Sequence, residues 1–337
     1  MKKLIFLTVC ILPLLSYSQS LTAFRDSIKG GYNFWLYAPA ANCDSLKNDS
    51  IKSDSVISKK PLILFLHGQS LCGRNLSKVR RYGCIDAIEY GKEIDAYILA
   101  PQNPGGTWKP SKLLDILNWT TERYAIDTNR VYVIGMSLGG FGTLDFAGTY
   151  PEKVAAAMAL CGGSTLSSLC GLTKVPLWII HGTADRAVSV TQSQNVVNAM
   201  KNCGDTTLLR FDKLKNVNHS RLARVFYLDE TYEWLFSHSL TDSVRSVNQD
   251  CAITVATLKD AFKDLHRNSG KFAVIDVKKE TDDGSVSTAD ATWHVVKQGD
   301  TLGHIAIKYH TTVARLCANN NIKATGILRI GQKIKVM

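Results

Sequence analysis

The chain has 337 residues, a formal charge of +11, 45% hydrophobic residues and nine cysteines. That length exceeds the usual need of one compact domain, so one large and one small domain are expected. No nucleic-acid-binding motif accompanies the basic charge. It fits either attraction to an anionic wall or membrane surface or lysines spread over a solvated surface.

Met1-Lys2-Lys3, an apolar run from Leu4 to Leu15 and Ser16-Tyr17-Ser18-Gln19 form an n-region, h-region and cleavage site. They predict a signal peptide over 1–18, cleaved after Ser18. The apolar run is too short for a transmembrane span. Cys10 lies inside it rather than after it, which argues against a lipidated cysteine. Losing Lys2 and Lys3 lowers the formal charge from +11 to +9 and leaves an exported protein, periplasmic or extracellular. Eight cysteines then remain, and an even number in an exported chain permits disulfides in any of 105 connectivities. Cys72 with Cys84, and Cys161 with Cys170, are close enough in sequence to clamp loops; buried free thiols are the alternative reading. None has zinc-ligand spacing, and neither metal nor cofactor is expected.

Tyr32 to Ala38 alternates aromatic and polar residues as a strand, and the polar stretch Ala41 to Lys60 reads as an exposed hairpin loop. Pro61 to Leu66 is a buried strand broken at His67-Gly68-Gln69-Ser70, and Ile94 to Ala100 is the next. Thr107 to Tyr124 has helical periodicity. Val131 to Ile134 is a β-branched, apolar strand running into Gly135-Met136-Ser137-Leu138-Gly139, with a helix from Phe141. Lys153 to Leu160 leads into a strand ending at Cys161-Gly162-Gly163. Pro176 to Ile180 is a strand that runs into His181-Gly182-Thr183-Ala184-Asp185. Val190 to Cys203 is a helix, Leu208 to Phe211 a strand and Arg221 to His238 a final helix. This alternation predicts an α/β fold with a mostly parallel sheet covered on both faces, over 21–240. The short connection from Cys161 to Lys174 leaves no room for a large cap over Ser137, which suits bulky or polymeric substrates. Residues 241–291 read as connector and linker: Ser243 to His266, with Val255, Leu258, Phe262 and Leu265 at helical spacing, is expected to be an amphipathic connector packed on one of the domains, and Glu280 to Ala291 a polar, flexible stretch. Residues 292–337 form a small β-α-α-β domain.

The chemistry concentrates at Gly135-x-Ser137-x-Gly139, the strand-to-helix turn that presents a serine hydroxyl above a sheet. A serine needs a base to take its proton and a carboxylate to fix the base's tautomer, and in this arrangement they follow in the order Ser, Asp/Glu, His. The acid should sit just past the next buried strand, and Asp185, closing the strand that runs into His181-Gly182, is the expected one; Asp145, Asp205 and Asp212 sit in helix or surface contexts and read as solvated. His219, between the last strand and last helix, is the expected base. His67, His181 and His238 read as structural. The Leu138 and Gln69 backbone N–H groups are the expected oxyanion donors. Trp108, after Gly105-Gly106, is read either as lining the pocket or as a packed aromatic.

The set His67-Gly68, Gly135-x-Ser137-x-Gly139, His181-Gly182-x-x-Asp185 and His219 resembles the α/β-hydrolase superfamily over about two-thirds of the chain. Within it, feruloyl-esterase-like and polyhydroxybutyrate-depolymerase-like esterases are the most similar, with dienelactone-hydrolase and prolyl-oligopeptidase-type catalytic domains. The resemblance implies an acyl-enzyme mechanism with Ser137 as nucleophile, His219 as base then acid and Asp185 as orienter. Trp293 to Leu302, with Asn321 and Leu328 to Ile334, resembles a LysM module, although Ile330 stands where that family often has proline. The resemblance implies binding of peptidoglycan or another N-acetylglucosamine-containing glycan, in a groove using Gly299, Asp300, Thr301, Ile322 and Leu328. The combined expectation is an exported serine carboxylic-ester hydrolase acting on acyl esters of polysaccharides or wall glycans. A prolyl-oligopeptidase-type peptidase and a non-catalytic glycan-binding protein are the rivals; the chain has no room for the propeller that the peptidases usually carry.

Overall fold

The computed structural model describes residues 19–40, 58–247, 251–267, 269–276, 293–297, 300–302, 305–306, 309, 313–322 and 328–336. The predicted leader and most of the hairpin loop after Ala41 lie outside these residues, as do Cys43 and Glu280 to Ala291. Contacts divide the chain into two compact units, Met1–Lys279 and Glu280–Met337.

The first unit is built on a nine-stranded sheet in the order β8-β7-β6-β5-β3-β4-β2-β1-β9. Its strands are β1 (Ser20–Phe24), β2 (Phe34–Ala38), β3 (Lys60–Leu66), β4 (Tyr97–Pro101), β5 (Ile126–Met136), β6 (Ala156–Leu160), β7 (Leu177–Gly182), β8 (Leu209–Leu214) and β9 (Ala273–Asp276). From β4 through β8 neighbouring strands are parallel; β2 pairs antiparallel with β1 and β4, and β9 runs parallel to β1. Burial on both faces explains the continuous apolar runs that marked the central strands. Alternate residues of β3 serve different cores. Leu62, Leu64 and Leu66 meet helices α2 (Pro110–Thr121), α3 (Leu138–Thr149) and α4 (Val190–Asn202). Ile63 and Phe65 meet α1 (Cys84–Glu89), α6 (Asp229–Phe236) and α7 (Val255–Asp260).

Several expectations are corrected. The final helix is broken into α5 (His219–Leu222), a 3-10 turn over Ala223–Tyr227 and α6, with Leu228 extended at φ −87°, ψ 144°. Thr231 Oγ1 donates to the Val225 carbonyl and Tyr232 OH to the Phe226 carbonyl, at 2.5 and 2.6 Å. Side chains thus satisfy carbonyls that a continuous helix would use. The compact unit also runs beyond 240, because β9 adds to the sheet at β1. The connector packs on this unit as expected: Leu258 is buried, and Val255, Phe262 and Leu265 pack against the core that holds Phe65.

Neither cysteine pair suggested by sequence proximity forms. Cys170 is bonded to Cys203, joining the 3-10 turn over Cys170–Lys174 to the end of α4. Cys84 and Cys161 are buried free thiols, and Cys72 is a half-buried one. Chain proximity failed as a guide because Cys84 faces inward from α1 and Cys161 ends a central strand.

In the second unit, β10 (Trp293–Val295) pairs antiparallel with β11 (Lys333–Lys335). The core behind them comprises Val296, Leu302, Ile305, Ala306, Leu316, Ile334 and Val336. The Asn320 side chain, at the end of the helix Val313–Asn320, accepts from the Lys335 N–H at 2.7 Å and donates to the Lys335 carbonyl at 2.8 Å. Among the described residues no helix is long and apolar enough to cross a membrane.

Candidate active site

Ser137 follows β5 and precedes α3, and its backbone is at φ 59°, ψ −124°. A side chain in this left-handed region is strained and persists only where the surroundings enforce it. Here the Ser137 N–H donates to the Leu160 carbonyl at 2.9 Å, while its own carbonyl accepts from Phe141 N–H at 3.0 Å. The helix packs so closely on the strands that a Cβ on Gly139 would lie 1.8 Å from the Leu66 carbonyl oxygen. Glycine at 139 is therefore a steric requirement.

Asp185 lies beyond β7 and His219 beyond β8, and backbone bonds stitch the two loops together. Thr183 N–H donates to Leu214 O at 2.9 Å, Ala184 N–H to Val217 O at 3.1 Å and Asn216 N–H to Thr183 Oγ1 at 2.9 Å. The result is a 2.7 Å contact between His219 Nδ1 and Asp185 Oδ2. Asp185 Oδ1 accepts from Ala187 and Val188 N–H, both at 2.9 Å. Burial acts to raise the Asp185 carboxyl, but the bonds from Val188, His219 and Ala187 outweigh it and hold it below the usual carboxylate range. His219 and Ser137 line one cavity of about 840 Å³. Among the described residues no hydrogen bond joins the Ser137 hydroxyl to His219, as is common before substrate tightens such a site.

Gln69 and Leu138, the expected oxyanion donors, line the same cavity. The Gly68 carbonyl accepts from Leu71 N–H at 3.1 Å and lies 2.8 Å from His67 Nδ1. His67 Nε2 accepts from Asn103 N–H at 3.0 Å, so Nδ1 carries the proton. In a trans peptide C=O and N–H point oppositely, so pinning the Gly68 carbonyl aims the Gln69 N–H the other way. His67 is fully buried and packed edge-on against Trp108. Burial pushes its imidazole down to about 4. The unfolded chain takes up this proton below about pH 6.5, whereas the native state does not until about pH 4. Stability from a neutral His67 is therefore intact above pH 6.5 and falls by about 3 kcal/mol towards pH 4. Urea titrations across this window should show a shallower acid slope for His67→Asn than for the wild type.

Trp108 does not line the cavity. It is 2% exposed, packs edge-to-face with Tyr32 and His67 and donates from Nε1 to the His67 carbonyl at 3.3 Å. Asp145, expected to be solvated, is buried and accepts from Ser164 Oγ, Thr165 N–H and Thr165 Oγ1 at 2.5, 2.9 and 2.6 Å. It thereby fixes Thr165 in the cavity wall. His181 and His238 are buried and bonded to backbone or Ser193. Cys161, Asp185 and His219 could in principle hold a cation, with one ligand atom of each within 4.8 Å of the others. The chemistry does not suit one: burial and the Asp185 charge push the Cys161 thiol well above its ordinary value, and the other two are bonded to each other.

Sequence reasoning missed Tyr82, whose hydroxyl accepts from Gly68 N–H at 2.5 Å and lines the cavity. Burial pushes the phenol up to about 12, so it stays protonated. Tyr82→Phe leaves the Gly68 N–H without its acceptor beside Ser137. The expected cost is about 1–3 kcal/mol, read as a tenfold to hundredfold fall in kcat with KM little changed.

In the second unit Asp300 accepts from His294 Nε2 at 2.6 Å and Lys297 N–H at 2.7 Å. Thr301 is exposed, Ile322 and Leu328 pack partly buried on the small core, and Gly299 lies outside the described residues.

Comparison with known proteins agrees with this division. Residues 111–228 match the phospholipase/carboxylesterase family, and residues 294–336 match the LysM domain. The chain is 31% identical over 100 residues to the bifunctional acetylxylan esterase/xylanase XynS20E of Neocallimastix patriciarum, covering 30% of this chain and 14% of that protein. It is 31% identical over 70 residues to a probable acetylxylan esterase A of Aspergillus flavus, covering 21% and 22% respectively. The chain thus spans less than a quarter of the length of either relative. A crystal structure of a thermostable esterase superposes with a TM-score of 0.53 at 24% identity, over 66% of this chain and 63% of that one. This likeness supports the fold.

Proposed function

For a chain that carries an α/β-hydrolase domain of the phospholipase/carboxylesterase type and a LysM domain, we propose an exported serine ester hydrolase held on wall glycan. One observation carries the reading: a strained serine and an Asp185-oriented imidazole open on a single cavity, beside two backbone N–H groups. His219 Nε2 takes the proton as Ser137 Oγ attacks the ester carbonyl, and the C–O bond to the alcohol breaks as His219 returns that proton to the leaving oxygen. Water then repeats the sequence on the acyl-enzyme. The Gln69 and Leu138 N–H groups receive the charge that develops on the carbonyl oxygen.

Apart from Tyr82 and His219 no ionisable side chain lines the cavity among the described residues, which suits an uncharged acyl ester. Acyl groups on polysaccharide or wall glycan are the substrate class we favour, since the two relatives named above are an acetylxylan esterase/xylanase and a probable acetylxylan esterase. The LysM module would keep the enzyme at high local concentration on N-acetylglucosamine-containing polymer, through the region of Gly299, Asp300, Thr301, Ile322 and Leu328. The leader-like residues 1–18 and the Cys170–Cys203 disulfide support export.

Hydrolysis of p-nitrophenyl acetate by wild type and Ser137→Ala tests the chemistry. The variant should lose at least about a thousandfold in kcat and all labelling by a fluorophosphonate. Equal rates would exclude the serine mechanism.

A further inference from the structure

The two strands of the C-terminal unit have an inward and an outward face. Register places Trp293 opposite Lys335, His294 opposite Ile334 and Val295 opposite Lys333. Alternation sends His294, Val296, Ile334 and Val336 inward, each 3% exposed or less. Trp293, Val295, Lys333 and Lys335 therefore share the outward face, with exposed Lys297 continuing the alternation. Trp293 is 50% exposed and Val295 46%, and Ile330, in the turn entering β11, is 71% exposed. These are three of the five large hydrophobic side chains exposed among the described residues, gathered in one small module. From Trp293 to Met337 the sequence holds seven Lys and Arg against one carboxylate, Asp300. That carboxylate is engaged by His294 and the Lys297 N–H.

We propose that this outward face docks on an anionic phospholipid bilayer. Trp293 and Val295 enter the boundary between headgroups and acyl chains, where an indole ring and aliphatic side chains are favoured together, with the exposed Ile330 in the adjoining turn. Lys297, Lys333 and Lys335 share that face and meet the phosphates. Charge complementarity selects this occupant. A second copy meeting the face about a two-fold axis would set lysines against lysines. A neutral sugar gains from a planar ring and hydrogen-bonding groups, which Val295 and Ile330 lack. The proposal is independent of the serine chemistry and uses none of Gly299, Asp300, Thr301, Ile322 and Leu328, so the module would bridge wall glycan and membrane.

The test is co-sedimentation of the full chain with vesicles of phosphatidylcholine alone or containing about 30% phosphatidylglycerol. Binding is expected only to the anionic vesicles, weakened roughly tenfold or more between about 50 and 500 mM salt. Trp293→Ser, Val295→Ser and the double change Lys333→Glu/Lys335→Glu should each weaken it by roughly tenfold. Circular dichroism should show each variant folded, with p-nitrophenyl acetate hydrolysis unchanged. No binding to anionic vesicles, equal binding to neutral ones, or binding that all three variants retain would overturn the proposal. So would variants that lose peptidoglycan pull-down or self-association while still binding vesicles. Because hydrolysis is read in the same preparations, failure here stays distinguishable from failure of the esterase reading.

Discussion

Asp185→Asn is expected to lower kcat for ester hydrolysis by about ten-thousandfold while leaving the fold intact. The native carboxylate faces two kinds of donor. Oδ1 takes the Ala187 and Val188 N–H groups, and Oδ2 takes His219 Nδ1. An asparagine must keep its carbonyl oxygen towards the two backbone donors, so its NH₂ group faces the imidazole. Nδ1 then becomes an acceptor, the ring proton moves to Nε2, and the base has no lone pair for the Ser137 hydroxyl. No nearby anion substitutes, because burial, which the substitution leaves in place, pushes up the Cys161 thiol beside the pair. Steady-state kinetics and the rate of fluorophosphonate labelling at neutral pH measure the effect. A variant within tenfold of wild type would show that Asp185 anchors the turn and does not orient the base. Asp185→Ala, which removes both sets of bonds, should lose thermal stability as well.

Where the sequence was legible, the governing forces were local or followed chain order. The turn at Ser137 shows itself because strand, glycines and helix are contiguous, and steric crowding against Leu66 leaves little choice of residue. The contact of Asp185 with His219 spans 34 residues, but each sits at the end of a readable parallel strand. What could not be read depends on partners that no period announces. Tyr82 reaches Gly68 from the end of a short 3-10 segment, and Asp145 finds its donors in a loop about 20 residues away. Apolar character alone could not decide between pocket and core for Trp108. Edge strand β9 is four residues long, mostly exposed, and exists only because β1 offers it an edge. The break at Leu228 falls in a segment with good helical periodicity, and side-chain bonds to the 225 and 226 carbonyls override it.

Among the described glycines, Gly139→Ala should add the most damaging methyl group. The new Cβ would lie 1.8 Å from the Leu66 carbonyl oxygen, 2.5 Å from its carbonyl carbon and 2.9 Å from the His67 carbonyl oxygen. All three are backbone atoms, and the Leu66 strand cannot retreat because Leu66 pairs with Gly135 in the ladder. Helix α3 must therefore lift, carrying Leu138 and the Ser137 turn with it. Overpacking of this kind costs about 3 kcal/mol or more, enough to show as loss of soluble yield or a thermal midpoint several degrees lower. Gly148→Ala supplies the contrast on the same helix. Its Cβ would meet only side chains, Leu166 Cδ1 at 2.8 Å and Leu172 atoms beyond 3.4 Å, which yield by changing rotamer. Helix propensity then favours alanine by up to about 1 kcal/mol, so this variant should be close to neutral in both stability and activity. Thermal denaturation of the pair decides the matter. If Gly139→Ala melts with wild type, the strand and helix are further apart than described, and the strain at Ser137 loses the packing that enforces it.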